Sequence, residues 1–561
     1  GGEIPTPHLD ALAREGVRFS NFHVAASCAP TRAMLFTGVE HHRAGVGNLL
    51  ESMPREHLGK PGYLGSLAPN VVTVASLLQA GGYRTLISGK WNVGTEPHNL
   101  PNARGFDRSI VQGDTGSDNW DPTQRYLPHS KTVKWFEDGR TATMPERFYT
   151  SEWFVDRMIG YLREEPDTSK PFFAVVGFQA NHVPLQAPAE FIAKHRGRYD
   201  AGWTALRAAR RDRAAELGLV PRDVPMATMP TTADWNRLSD AERRHQARGM
   251  EVYAAMAEAM DHHIGRLVDH LKASGRYEDT VFVFLSDNGP EGSDYRDAQL
   301  WLRTQYTQDT DRLGGPGAYA IPGPSWASAS AAPLSGYKFF AGEGGIRVPL
   351  IVAGVPGAAS GSIHAGLAHV IDIAPTLLEL AGVAHPAGAR ARTDAGSAAT
   401  PPDPGSASPP VEPLAGRSLL PVLRDPQARL RAPDESIGYE LSGNRALYRG
   451  DLKLTSSLAP LGDGRWRLYD LKADPGETRD LAESMPTVVA AMRAEYEDWA
   501  RAHGVLPMPE GYTPTKQVMI NSVLNYWLPE YGPIGAAVLA ASLALVVVLL
   551  ARRRARRRGA R

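Results

Sequence analysis

Thr280-Val281-Phe282-Val283-Phe284-Leu285, followed at once by Ser286-Asp287-Asn288-Gly289, decides the fold class. The run from Val281 to Leu285 is apolar at every position and rich in β-branched and aromatic residues. That is the pattern of a strand covered on both faces, not of one that alternates between core and solvent. Pro171-Phe172-Phe173-Ala174-Val175-Val176-Gly177-Phe178 is a second run of this kind, trailed by Asn181-His182-Val183-Pro184, and 348–352 is a third. A shorter strand over 83–87 leads into Ser88-Gly89-Lys90-Trp91-Asn92. Helical spacing separates the strands at 7–16, 71–80, 148–163, 250–271 and 372–381, the last with Asp372 as its expected N-cap. Strands alternating with helices predict an α/β fold, with a large mixed, mostly parallel sheet sandwiched by helices. Such sheets carry their chemistry at strand ends, which is where these polar clusters stand.

Taken singly, each cluster has a plain reading beside a functional one. Asp287 and Asn288 offer hard oxygen ligands for calcium or magnesium, and equally an ordinary Asp-Asn-Gly turn. His182 after a strand is structural or catalytic; Lys90 and Lys338 are cations for an anionic group or solvated side chains. Gly342-Glu343-Gly344-Gly345-Ile346-Arg347-Val348-Pro349 permits close backbone approach or makes a plain loop. Cys28 is the only cysteine of 561 residues, so it makes no intrachain disulfide and no zinc site by itself. It lies in Ser27-Cys28-Ala29-Pro30-Thr31-Arg32, where Pro30 suits the first turn of a helix. That places Cys28 near a helix N-terminus, which favours an anion, with Arg32 one turn on. A buried, inert thiol is the alternative.

Charged residues make up 22% of the chain, apolar residues 42%, and the net charge is zero, which argues against nucleic acid as the main partner. The expected organisation is a catalytic α/β domain over 1–384 and a disordered Pro/Ala/Gly-rich loop over 385–415. A smaller C-terminal α+β subdomain follows over 416–515. The segment 533–550 carries no charge and, as a helix, spans ~27 Å, close to a bilayer's hydrocarbon core. Tyr526, Trp527 and Tyr531 precede it as interfacial anchors and six arginines follow within 552–558. The positive-inside rule predicts a transmembrane helix over 533–551, an arginine-rich cytoplasmic tail over 552–561 and a catalytic domain on the extracytoplasmic side. A basic nucleic-acid-binding tail is the alternative. A chain that opens on Gly1 is expected to continue a longer precursor.

The ordered set Cys28-x-Pro30-x-Arg32, Gly89-Lys90-Trp91, Asn181-His182-x-Pro184, Ser286-Asp287-Asn288-Gly289, Gly336-Tyr337-Lys338 and Glu343-Gly344-Gly345-Ile346-Arg347-Val348-Pro349 resembles the formylglycine-dependent arylsulfatases of the alkaline phosphatase superfamily. The resemblance extends to Leu468-Tyr469-Asp470-Leu471 and Asp474-Pro475-Gly476-Glu477-Thr478. It implies hydrolysis of small-molecule sulfate esters, with Cys28 converted to formylglycine by a formylglycine-generating or sulfatase-maturating enzyme. It implies that Arg32 holds the aldehyde hydrate and that Asp287, Asn288 and the converted Cys28 bind calcium, or magnesium. It gives Lys90 and Lys338 the sulfate oxygens, and His182 the bridging oxygen and the leaving alcohol. A formylglycine-dependent phosphoester or phosphonate hydrolase, and an impaired ectodomain that only binds sulfated ligands, are the rival functions.

Two departures from the family's pattern stand out. The aspartate pair of the family's metal site is expected ahead of Gly1. The family's Gly-Lys-Trp-His reads Gly89-Lys90-Trp91-Asn92, and asparagine cannot take the proton that a histidine base would. Substrate choice is expected to lie in the loops 99–126 and 294–335.

Overall fold

A computed structural model describes residues 2–127, 133–164, 169–294, 298–387 and 410–558. Most of the Pro/Ala/Gly-rich stretch, 388–409, and the last three residues of the arginine-rich tail lie outside the described residues.

The strands in chain order are β1 (Val17–His23), β2 (Arg84–Lys90), β3 (Arg108–Gln112), β4 (Trp135–Glu137), β5 (Arg140–Thr141), β6 (Phe172–Gly177), β7 (Phe282–Leu285), β8 (Arg347–Ala353), β9 (Ile363–His364) and β10 (Ala368–His369). One five-stranded sheet has the order β10-β1-β8-β7, with β9 also paired to β1; a second runs β5-β4-β3-β2-β6. In the first, β8 is antiparallel to both β1 and β7, while β9 and β10 are parallel to β1. In the second, β2 is parallel to β3 and β6, and β3, β4 and β5 form an antiparallel ribbon. The expected single large sheet with mostly parallel pairing is therefore corrected to two mixed sheets. The physical reason is that an apolar run reports covered faces and says nothing about the direction of its neighbours.

β6 and β7 are edge strands, one from each sheet. Their side chains are mostly half-buried rather than sealed, as the apolar runs had implied. The helices Thr150–Arg163 and Asp240–Ala273 cover both, and Leu86, Ile110, Met158, Tyr161, Leu162 and Leu271 form the shared core. Each such buried Leu or Ile contributes about 1.5–3 kcal/mol. The helix Asp240–Ala273 starts ten residues before the expected 250, at a capping box in which Ser239 Oγ accepts from Glu242 N and Glu242 accepts from Ser239 N. Asp372, expected as a helix N-cap, makes no such bond to its helix Ile373–Ala381. Its carboxylate instead accepts from His369 N, Arg417 N and Arg431 Nη2, tying three segments together.

A third sheet is an antiparallel meander of β11 (Ser436–Leu441), β12 (Asn444–Arg449), β13 (Leu452–Ser456) and β14 (Arg467–Asp470). The helix Pro486–His503 covers it through Met492 and Tyr496 on Leu447, Leu454 and Leu468. Beyond it the chain returns to the main body and enters a continuous helical stretch, 514–555, whose most apolar 18 residues are unburied. Among the described residues this is the one helix long and apolar enough to cross a membrane.

Candidate functional site

The C-terminal ends of β1, β2, β6 and β7 and the N-terminal end of β8 deliver the polar clusters to one edge of the fold. β8 reaches that edge because it runs antiparallel to β7. Cys28 is the first residue of the helix Cys28–Thr37, which is buried along nearly its whole length and ends on the left-handed Gly38. Pro30 falls in the first turn, where no intrahelical donor is needed. Lys90 is the last residue of β2 rather than a loop residue beyond it. His182 follows β6, and Asp287 and Asn288 follow β7 by two and three residues. Lys338 is anchored by its backbone N–H on the Pro290 carbonyl, 3.0 Å away.

Two linked groups result. In the first, the Cys28 thiol donates to Asn288 Oδ1 at 3.1 Å, and Arg32 Nε donates to Asp287 Oδ2 at 3.1 Å. Arg32 Nη1 also donates to the Lys90 carbonyl at 2.7 Å. That reach depends on Gly177: a Cβ there would lie 2.6 Å from the Lys90 carbonyl oxygen and 3.3 Å from Arg32 Nη1. In the second, Lys338 Nζ donates to Glu291 Oε2 at 2.8 Å and meets His182 Nε2 at 3.1 Å. His182 Nδ1 is 2.8 Å from the Val183 carbonyl. A carbonyl only accepts, so Nδ1 carries the proton and Nε2 presents its lone pair to Lys338.

The electrostatics follow from burial and these neighbours. Burial lowers the Lys90 pKa, against the pull of Cys28 and Asp287. Burial also acts against the Lys338 cation, but Cys28 and Glu291 outweigh it and raise that pKa. Burial, together with the cations Lys338 and Lys90, holds His182 well below the ordinary histidine range. Burial would raise the carboxyls of Asp287 and Glu291; Arg32, Lys90 and Lys338 around the first, and Lys338 beside the second, lower both. The edge thus joins three buried or half-buried cations to two ionised carboxylates and one thiol. A tetrahedral oxyanion suits such a place.

The structure brings together Cys28, Arg32, Lys90, His182, Asp287, Asn288 and Lys338. Asn92, two residues beyond β2, has a left-handed backbone (φ 60°), and among the described residues none is hydrogen-bonded to its side chain. Glu291 is the residue the sequence reading missed; its only signal is its place three residues past Asn288. The glycine-rich motif around Glu343 serves packing instead. Fully buried Glu343 accepts from Tyr448 at 2.6 Å and Lys453 at 2.9 Å, joining the entry of β8 to the C-terminal sheet.

As a metal cradle the edge fits in kind. A carboxylate and an amide oxygen stand beside Cys28, where a converted side chain would present oxygen in place of Sγ. Two protein oxygens are fewer than the six to eight that calcium takes, so they form part of a ligand set. Among the described residues, the group with metal-like spacing is elsewhere: Glu40, His41 and His42. There both His42 nitrogens are taken by carboxylates, Glu40 at 3.1 Å and Glu440 of β11 at 2.9 Å, which makes it a buried ion network.

The sulfatase family model matches residues 1–383. An uncharacterized sulfatase of Schizosaccharomyces pombe is 35% identical over 532 residues, covering 91% of this chain and 92% of that protein. An arylsulfatase of Klebsiella aerogenes is 35% identical over 391 residues, 68% of this chain and 83% of that protein. The solved structure of Ps i-CgsB in complex with k-i-k-neocarrahexaose shares the fold, with a TM-score of 0.60 at 20% identity, covering 94% of this chain and 93% of that one. The chain belongs to the sulfatase family of the alkaline phosphatase superfamily and is a sulfuric ester hydrolase.

Proposed function

We propose that this protein hydrolyses sulfate esters of the aryl type through a formylglycine at position 28, with a calcium ion held in part by Asp287 and Asn288. The observation that carries the reading is the seat of Cys28: on Asn288 Oδ1, at a helix start, within the field of Arg32, Lys90 and Lys338. A separate maturation enzyme, using dioxygen or radical chemistry, oxidises Cβ of Cys28 by two electrons with loss of sulfide. Once converted, residue 28 would supply a hydrate oxygen as the nucleophile toward sulfur and a second hydroxyl whose proton, taken by a base, would let sulfate leave. When bound, calcium supplies a fixed positive charge for the sulfate oxygens.

The protein's own residues do the remaining work. Arg32, braced by Asp287 and the Lys90 carbonyl, holds the nucleophilic oxygen. Lys90 and Lys338 neutralise charge that grows on the transferring group, where buried and preorganised cations are most effective. His182 is neutral with its proton on Nδ1, so His182 and the Lys338 ammonium act as a pair. The proton for the leaving alcohol comes from Lys338 across or beside Nε2. Asn92, in place of the family's histidine, leaves sulfate expulsion without that base.

The apolar helical stretch is read as a single membrane span. The catalytic body lies on the extracytoplasmic side and the arginine-rich end in the cytoplasm. Mass spectrometry of the Cys28 peptide from native protein tests the reading: an aldehyde or its hydrate is expected, and an intact thiol overturns it. Nitrophenyl sulfate turned over faster than nitrophenyl phosphate separates sulfatase from phosphoester chemistry.

A further inference from the structure

The root of the apolar helix is fastened to the same wall that holds the site. Asn521, buried just ahead of it, donates to the carbonyls of Glu51 at 3.0 Å and Met53 at 2.9 Å. Tyr512 Oη donates to the Ser52 carbonyl at 2.9 Å, and His57 Nε2 meets the Pro507 carbonyl at 3.0 Å. Glu530, inside the helix, pairs with Arg125 at 3.6 Å, and the Arg125 guanidinium lies over Trp301 at 5.6 Å. Tyr526 is within electrostatic range of Glu51 and Asp114. The next residue after Arg125, Tyr126, packs edge-on against His182 with ring centroids 6.1 Å apart. Tyr126 also shares a cluster with Leu302 and Trp301 of the helix Gln299–Gln305. From the helix root to a residue of the site the path is therefore two side chains long.

The exposed apolar residues follow the same geography. Among the described residues outside 519–550, the large hydrophobic side chains left exposed are Leu50 at 53%, Leu58 at 58% and Leu300 at 77%. Single exposed leucines are ordinary, but these three sit only on segments that grip the helix root. Leu50 adjoins the Glu51–Met53 carbonyls, Leu58 adjoins His57, and Leu300 adjoins Trp301. Trp527 and Tyr531, half-exposed, stand at the same level as anchors of the interfacial kind. An apolar rim, aromatic anchors and an unburied apolar helix on one side of the protein describe a face that lies on a bilayer.

We infer that the site takes amphipathic sulfate esters whose apolar part stays in the bilayer, of the sulfolipid class, because the His182 wall and the membrane-facing rim are one structure. This rests on the sulfatase and membrane readings above. Substrate held in the same two-dimensional surface as the enzyme meets it at a far higher effective concentration than soluble ester does.

The test uses full-length protein reconstituted in phosphatidylcholine vesicles. Two substrates are compared: a long-chain alkylphenyl sulfate embedded in the vesicles and soluble phenyl sulfate. The embedded ester is expected to be turned over about tenfold faster or more at equal total concentration. The double variant Leu50→Glu, Leu58→Glu is expected to lose most of that advantage while keeping soluble turnover, which also shows that it folds. Equal turnover of the two esters, or loss of both activities in the variant, overturns the inference. Failure of the protein to float with vesicles overturns it through the membrane premise, and failure on both esters through the sulfatase premise.

Discussion

Lys338 Nζ stands 3.1 Å from His182 Nε2 and 2.8 Å from Glu291 Oε2, so one ammonium is shared between a neutral imidazole and a buried carboxylate. The sharing separates charge from proton delivery. Cys28 and Glu291 keep Lys338 protonated, and burial, with Lys338 and Lys90 beside it, keeps His182 neutral. Lys338→Ala is expected to lower kcat by about 10²–10⁴-fold, the range for lost acid catalysis. The loss is expected to be larger on alkyl sulfates than on nitrophenyl sulfate, whose leaving group needs little protonation. Equal losses on both ester types would assign Lys338 to charge neutralisation alone.

Because His182 is held well below the ordinary histidine range, it stays neutral at and below its usual midpoint. The kcat/KM profile of the wild type is expected to show no inflection near pH 6.5 from this residue. In Lys338→Met the neighbouring cation is gone, and the His182 pKa moves back up. An acid-side inflection is then expected to appear, absent from the wild type, in a titration of the His182 ring by NMR or in the rate profile.

Gly177→Ala is expected to disturb the site without touching a charged group. The added methyl would sit 2.6 Å from the Lys90 carbonyl that Arg32 binds, so β2 and β6 must part or Arg32 must let go. Overpacking of this kind costs about 1–3 kcal/mol. A lower Tm combined with a drop in kcat is the expected result, and unchanged values of both would contradict the packing described.

These particulars show what was legible in the sequence. The runs at β6, β7 and β8 announced strands, and the polar residues after β6 and β7 and before β8 announced the candidate site, because strand ends and apolar runs are local features. The pairing directions were not legible: β8 carries the same apolar code whether its neighbours run with it or against it. Ser239-Asp240-Ala241-Glu242 was a readable capping box that the expected start at 250 passed over. Glu291 was hidden for a different reason. A carboxylate in a loop signals nothing until the fold places Lys338, 47 residues later, against it. Asp372 looked like a cap because the helix begins after it, yet its partners Arg417 and Arg431 come from distant sequence.

The Glu40, His42 and Glu440 network predicts a pH-dependent seam between the main body and the C-terminal sheet. Burial works against the His42 cation, but Glu40 and Glu440 outweigh it and raise the pKa to about 10. The folded-state value is above the unfolded one, so the contribution is complete below about pH 6.5. It is lost as pH rises from there through 10. Stability measured by denaturant should fall across that window by a few kcal/mol. In His42→Gln the fall is expected to be much smaller, from a lower starting stability. A wild-type slope no steeper than the variant's would rule the network out as the cause.

Asn92→His addresses the step after sulfur transfer. The backbone there is left-handed, φ 60°, a region that histidine enters more readily than most residues, so the exchange does not force the chain to move. If sulfate expulsion limits the native protein for want of a base, nitrophenyl sulfate is expected to give a burst of nitrophenol followed by a slow steady rate. The histidine variant is expected to raise the steady rate by about tenfold or more and to erase the burst. The comparison must be made at equal conversion of Cys28, measured by mass spectrometry on each preparation. A variant that matures equally but releases sulfate no faster would mean that another group near Cys28, with Asp287 the first candidate, already takes the proton.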